Sequence, residues 1–276
     1  MNFFKNFPVV EVDLQRDGRV NKMVNIFKSV RPLQNFIDDP SLYTFYEIKN
    51  GERPDIVSQR LYSTSEFYWT FFVINDFLHD GYRSWPMSQE VLDKYIDVEY
   101  EGFAITTNPE PTTNSDGSVI EYTNSLAGEN ITYTVDGTRF RLGETVTGSS
   151  SNASGTVTKK NIDLNQLIIQ SASGTFSPGE FIDGGSSSAS VAAHQVFKYA
   201  EAPHHYYKVG DTEERPVTPK IFIDSPLATD NQDLAYTSNR EYINDINEER
   251  SLIRVIQPEY ISQFVEQFEN TLNDTI

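Results

Sequence analysis

Between residues 44 and 78 the spacing of apolar positions changes period. Residues 44–49 (TFYEIK) alternate as a strand does, and Asn50-Gly51 follows as a turn dipeptide. Pro54 suits a first helical position, with Asp55 in the positive first turn. Ile56, Val57, Gln59, Arg60, Leu61 and Tyr62 continue one amphipathic helix. Ser63-Thr64-Ser65-Glu66 reads as a capping box, the Ser63 hydroxyl accepting from the Glu66 amide and the carboxylate answering at Ser63. The helix it opens carries Phe67, Trp69, Phe71, Phe72, Val73, Ile74, Phe77 and Leu78. A helix apolar on most of its circumference is buried, in its own fold or in an assembly. His79-Asp80-Gly81 ends it, the glycine taking left-handed backbone.

The last segment holds two alternating runs, 242–247 (YINDIN) and 251–256 (SLIRVI), around Asn247-Glu248-Glu249-Arg250. This pattern predicts a β-hairpin. Pro258 then starts a terminal helix whose Ile261, Phe264, Val265, Phe268 and Leu272 form one apolar stripe. Such a stripe either covers the hairpin or docks on another subunit.

The middle of the chain is different. Residues 101–200 are rich in Ser, Thr, Gly and Asn, and they contain a repeat. GETVTGSSSNAS (143–154) realigns on GEFIDGGSSSAS (179–190) at an offset of 36, with seven of twelve positions identical. Those are Gly143/Gly179, Glu144/Glu180, Gly148/Gly184, Ser150/Ser186, Ser151/Ser187, Ala153/Ala189 and Ser154/Ser190. Between the copies, residues 164–169 and 175–182 supply short strand-like apolar runs, so the region reads as a small all-β module inserted between two halves. It serves as a spacer or touches a partner.

Composition narrows the function. Lys plus Arg number 22 against 40 Asp plus Glu, a net charge of −18 over 276 residues, which disfavours a nucleic-acid partner. The absence of cysteine removes disulfides, thiolate metal sites and cysteine nucleophiles. No apolar run is long enough to span a membrane, and the N-terminus lacks a signal-peptide core, so it reads as non-secreted. No HExxH, GxSxG or P-loop spacing occurs. The adjacent His204-His205 point to opposite faces of a strand, which suits joint metal ligation poorly. No catalytic residue, metal or cofactor is expected.

The strand–helix–helix order of residues 43–78 resembles a LysM domain, carried by the Tyr46–Ile48 strand, the Asn50–Pro54 turn, the Ile56–Leu61 helix and Ile74-Asn75-Asp76. More of the chain is similar to the LysM-like baseplate wedge proteins of T-even-type contractile-tailed phages, wedge subunit fifty-three. That resemblance rests on residues 45–76 and 84–95, the Phe7-Pro8 stretch leading to Val24-Asn25-Ile26, Pro203-His204-His205-Tyr206, and residues 256–272.

The fold class expected is α+β. An extended arm (1–42) would precede a LysM-like βαα domain (43–100), the inserted β module (101–200), and a C-terminal hairpin plus helix (201–276). The resemblance implies a non-enzymatic virion protein of the tail baseplate, made in the host cytoplasm. Its partners would be inner wedge core subunits, a sheath-initiator-like subunit, neighbouring wedges, and tube or hub proteins. Candidate partner-binding residues are Arg53 and Arg60 beside the first helix, Trp69 and Phe72 on the second, Trp85, and Tyr260, Phe264 and Phe268 near the C-terminus. Core roles for the tryptophans and solvated ends for the arginines are the alternatives. The other function open to the sequence is a peptidoglycan-binding LysM-type module.

Overall fold

A computed structural model describes residues 7–13, 16, 18–25, 39–107, 110–113, 119–123, 140–161, 164, 166–217 and 234–274. The remaining parts of the expected N-terminal arm and of the inserted module lie outside the described residues. Two compact units emerge, one of residues 1–92 and 245–276, the other of residues 93–244.

In the first unit, β1 (Val9–Val12) and β2 (Asn21–Val24) form an antiparallel pair in the N-terminal arm. Strand β3 (Tyr43–Glu47) leads to helix α1 (Pro54–Tyr62), with Pro54 at its first turn and Asp55 beside it as the sequence predicts. Ser63 ends α1 in left-handed backbone, φ 59°. It is therefore a C-cap, and the Glu66 amide donates instead to Thr64 Oγ1 at 3.2 Å.

The second apolar helix is not continuous. A 3-10 turn (Glu66–Tyr68) runs into α2 (Trp69–Ile74), and further 3-10 turns follow at Asp76–Leu78 and Gly81–Arg83. Asn75 causes the break. Its backbone is extended, and its side-chain Nδ2 donates to the Phe71 carbonyl at 2.8 Å, the acceptor that the next helical amide would use.

The expected C-terminal hairpin is absent. Residues 242–247 belong to helix α4 (Asn239–Glu249) and not to a strand. A capping box sets that helix: the Ser238 amide donates to Glu241 Oε2 at 2.8 Å, and the Glu241 amide donates to Ser238 Oγ at 3.2 Å. The second run is a strand, β14 (Leu252–Ile256), but its partner is β3, with Phe45 opposite Arg254. The closing helix α5 begins at Ile261, after a turn at Pro258–Tyr260, and runs to Asp274. Its stripe is turned inward, with Ile261, Phe264, Phe268 and Leu272 buried beside Val57, Phe71, Leu78, Ile253 and Val255.

The second unit contains a closed six-stranded barrel. Helix α3 (Gln89–Glu99) leads into β4 (Phe103–Thr107), and β5 (Glu110–Thr113) with β6 (Val119–Thr123) makes a separate antiparallel pair. Then come β7 (Thr145–Gly148), β8 (Ser154–Asn161), β9 (Gln166–Ser173), β10 (Phe181–Gly184) and β11 (Ser190–Lys198). The strand order round the barrel is β10-β11-β4-β9-β8-β7. A further pair, β12 (Pro203–Lys208) with β13 (Leu234–Ser238), precedes α4. Arg240 on α4 pairs with Glu201 at 2.7 Å and lies within 3.8 Å of Asp93 and 3.7 Å of Asp97 on α3.

The repeat builds the barrel by exchange. Strands β4, β7 and β8 form one half and β9, β10 and β11 the other, and β4 and β9 each pair with the other half's hairpin as well as with one another. Thr147 faces Asp183 across β7 and β10, two positions separated by the repeat offset. Each copy's glutamate latches the other copy's serine turn. Glu180 accepts from the Ser150 and Ser151 amides at 3.1 and 2.9 Å and from their hydroxyls at 3.1 and 2.9 Å. Glu144 accepts from the Ser186 and Ser187 amides at 3.1 and 3.0 Å and from their hydroxyls at 3.0 and 2.8 Å. Two of the remaining identities serve the same unit. A Cβ on Gly148 would stand 2.6 Å from the Glu180 carboxylate, and one on Gly184 would stand 3.1 Å from that of Glu144. Ala153 and Ala189 are buried in the barrel core with Phe140 and Phe176, which are also one repeat apart.

Candidate assembly surface

The eight candidate residues divide by burial. Trp69 packs against Phe268 and Phe264, with ring centroids 4.8 and 6.3 Å apart. Trp85 lies 6.1 Å from Phe71 and 5.6 Å from Phe72, and its indole Nε1 donates to the Glu52 carbonyl at 2.8 Å. Trp69, Trp85, Phe264 and Phe268 thus form the core of the first unit, while Phe72 and Tyr260 are half-buried at its margin. Burying four large rings stabilises the unit.

Arg53 and Arg60 are exposed, but each has an acidic neighbour within the unit. Arg53 donates to Asp55 at 3.0 Å. Arg60 pairs with the buried Glu52 carboxylate and donates to the Tyr46 hydroxyl at 2.7 Å. Glu52 also accepts from Tyr46 at 2.9 Å and from the Lys49 amide at 3.1 Å. Burial, together with the Glu52 carboxylate, raises the Tyr46 phenol above its ordinary value, so it remains a donor at neutral pH. The polar turn before α1 is therefore knitted inward through Glu52. Ile56, four positions before Arg60 and three after Arg53, stands half exposed on the same side of the helix.

A second exposed face was not legible residue by residue. On the outer side of the β3–β14 pair, Phe45 and Leu252 are 58% and 52% exposed. Arg254 lies over the Tyr43 ring at 5.1 Å, and Tyr43 meets Phe45 edge to face. Alternation along each strand gives the facing, but only the pairing of Phe45 with Arg254 brings the four side chains together.

Asn75, which enters the sequence reading only through the LysM resemblance, has a structural role that reading did not assign. It is buried, donates to the Arg254 carbonyl at 2.9 Å and accepts from the Arg254 amide at 2.8 Å, so one amide side chain ties the end of α2 to β14. Its place at the end of an apolar helical run was the available signal. Asn75→Ala leaves both Arg254 backbone groups without this partner and is expected to destabilise the first unit by about 2–4 kcal/mol. Urea unfolding followed by tryptophan fluorescence measures it.

Among the described residues no group of three His, Asp or Glu side chains could hold a metal ion, and no helix is long and apolar enough to cross a membrane. A family model described as base plate wedge protein 53, a phage family, matches residues 2–108. The matched stretch contains β3, α1, α2 and α3 and ends just after β4. No curated protein matches the chain. The similarity supports a structural role in a phage tail baseplate.

Proposed function

We propose that this chain is a structural subunit of a contractile-tail baseplate wedge, joining neighbouring wedge proteins in the inner baseplate around the tail tube. The observation that carries the proposal is the match of residues 2–108 to base plate wedge protein 53. The joining would be non-covalent. Since the aromatic stripes are used in the core, the surfaces offered to partners would be the Arg53–Ile56–Arg60 side of α1, the Phe45–Leu252–Arg254 face, and the margins at Phe72 and Tyr260. Apolar area covered there would contribute about 25 cal/mol per Å² before the cost of association. Inner wedge core subunits, a sheath-initiator-like subunit and neighbouring wedges would be the partners, with tube or hub proteins beyond them.

Co-purification of the tagged chain with wedge subunits tests this. Arg53→Glu reverses an exposed charge with little effect on folding, within about 0.5 kcal/mol. It is expected to reduce recovery of wedge subunits while the melting temperature stays unchanged. Unchanged recovery in Arg53→Glu and in Phe45→Ala would remove both faces from the proposal.

The second reading is a LysM-like unit that retains glycan binding. The order β3–α1–α2–β14, with β3 and β14 paired antiparallel, favours the LysM-like part. Co-sedimentation with peptidoglycan sacculi separates the two functions. The baseplate reading expects no saturable binding at concentrations where an ordinary LysM protein saturates.

A further inference from the structure

The second unit carries a cleft of about 860 Å³ at the end of the barrel where β8 and β9 meet. Its lining departs from the acidic character of the chain. Among the described residues, Lys159 and Lys160 line it with one carboxylate, that of Glu99, and Asn161 adds an amide. The aromatic walls are Tyr100 and Tyr199, with ring centroids 5.1 Å apart and planes inclined at 60°. His204 closes a further side and is held in place by stacking on Tyr242, centroids 3.7 Å apart and planes at 12°. Thr158 also belongs to the lining, and its hydroxyl oxygen is buried with no hydrogen-bond partner among the described residues.

We propose that this cleft binds an acidic saccharide, a sugar unit bearing a carboxylate. Flat aromatic faces accept the C–H side of a sugar ring, while hydroxyls at the ring edge need the mixed donors and acceptors that Asn161 and Glu99 supply. Lys159 is exposed at the cleft and meets the carboxylate. Lys160 is committed to the Phe140 carbonyl, so the cation available to a ligand is essentially one. A single cation balanced by Glu99 matches a monoanionic carboxylate better than a phosphate of charge near two. Leu142, Leu164, Ile168 and Pro203 add apolar wall, but Lys159 and Glu99 in the same lining disfavour a purely apolar ligand.

Isothermal titration of the full chain with tetragalacturonate, cellotetraose and inorganic phosphate tests this. Tetragalacturonate is expected to bind, and cellotetraose, which lacks the carboxylate, to bind about tenfold more weakly or less. Lys159→Glu, at an exposed position, is expected to weaken tetragalacturonate about tenfold without moving the melting temperature, and Tyr100→Ala to weaken both sugars. The proposal is overturned by absence of tetragalacturonate binding at millimolar concentration, by binding that neither substitution weakens, or by phosphate binding as tightly as the sugar acid.

Discussion

Glu180→Ala is expected to destabilise the barrel by about 2–4 kcal/mol, because it leaves the Ser150 and Ser151 amides and hydroxyls, and the Ser177 amide, without their acceptor. Glu144→Ala removes the equivalent latch and should cost a similar amount. Both carboxylates are buried, at 5% and 6% exposure. Burial alone would raise their pKa. For Glu180 the bonds from Ser177, Ser151 and Ser150 outweigh it and hold the carboxyl down at about 2. For Glu144 the bonds from Arg141, Ser187 and Ser186 do the same, and its pKa is lowered. A carboxyl with a depressed folded pKa stabilises the fold fully above its unfolded value near 4.5. That stabilisation is lost as pH falls from there towards about 2. Far-UV circular dichroism melts across this range should therefore show a midpoint falling with acidity, less steeply in Glu180→Gln. A loss of stability of less than about 0.5 kcal/mol in Glu180→Ala would show that the latches do not hold the halves together.

Phe264→Ala is expected to cost the first unit about 3–5 kcal/mol. The ring is 1% exposed and lies 6.3 Å from both the Trp69 and Phe268 rings, so its removal opens a cavity at the centre of the aromatic core. Both tryptophans of the chain are buried in that unit, so tryptophan fluorescence during denaturation reports it directly. The same packing changes what a C-terminal truncation means. Ending the chain at Gln257 removes α5 and its four buried stripe residues, so the truncate should lose the first unit's cooperative unfolding and not merely a docking handle. A loss below about 1 kcal/mol for Phe264→Ala would contradict the inward placement of the stripe.

These two cases also show how far the sequence could be read. The start of α1 was legible because Pro54 and Asp55 are local signals, and the α5 stripe was legible because its spacing is helical. The repeat was visible as seven identities, yet its physical meaning lies in contacts made by each copy with the other. No single copy displays those contacts. Strand β14 was recognisable, but its partner β3 lies about 200 residues earlier, and nothing in either strand's own residues names the other. The misreading of 242–247 had a different source. Its alternation fits a strand, while Ser238 and Glu241 just upstream form a capping box, and a helix start fixed by two reciprocal hydrogen bonds overrode a six-residue pattern. The candidate surface was half legible for the same reason as the core. Aromatic richness marked residues 67–85, but which rings face inward depends on α5 packing over Trp69.

The central claim is that the chain is a structural component of a phage baseplate. Immunogold labelling of purified virions, with antibodies raised against the six-stranded barrel, tests it most directly. The account predicts gold at the baseplate end of the tail. Virions that lack the chain, or that carry it only on the capsid, would contradict it.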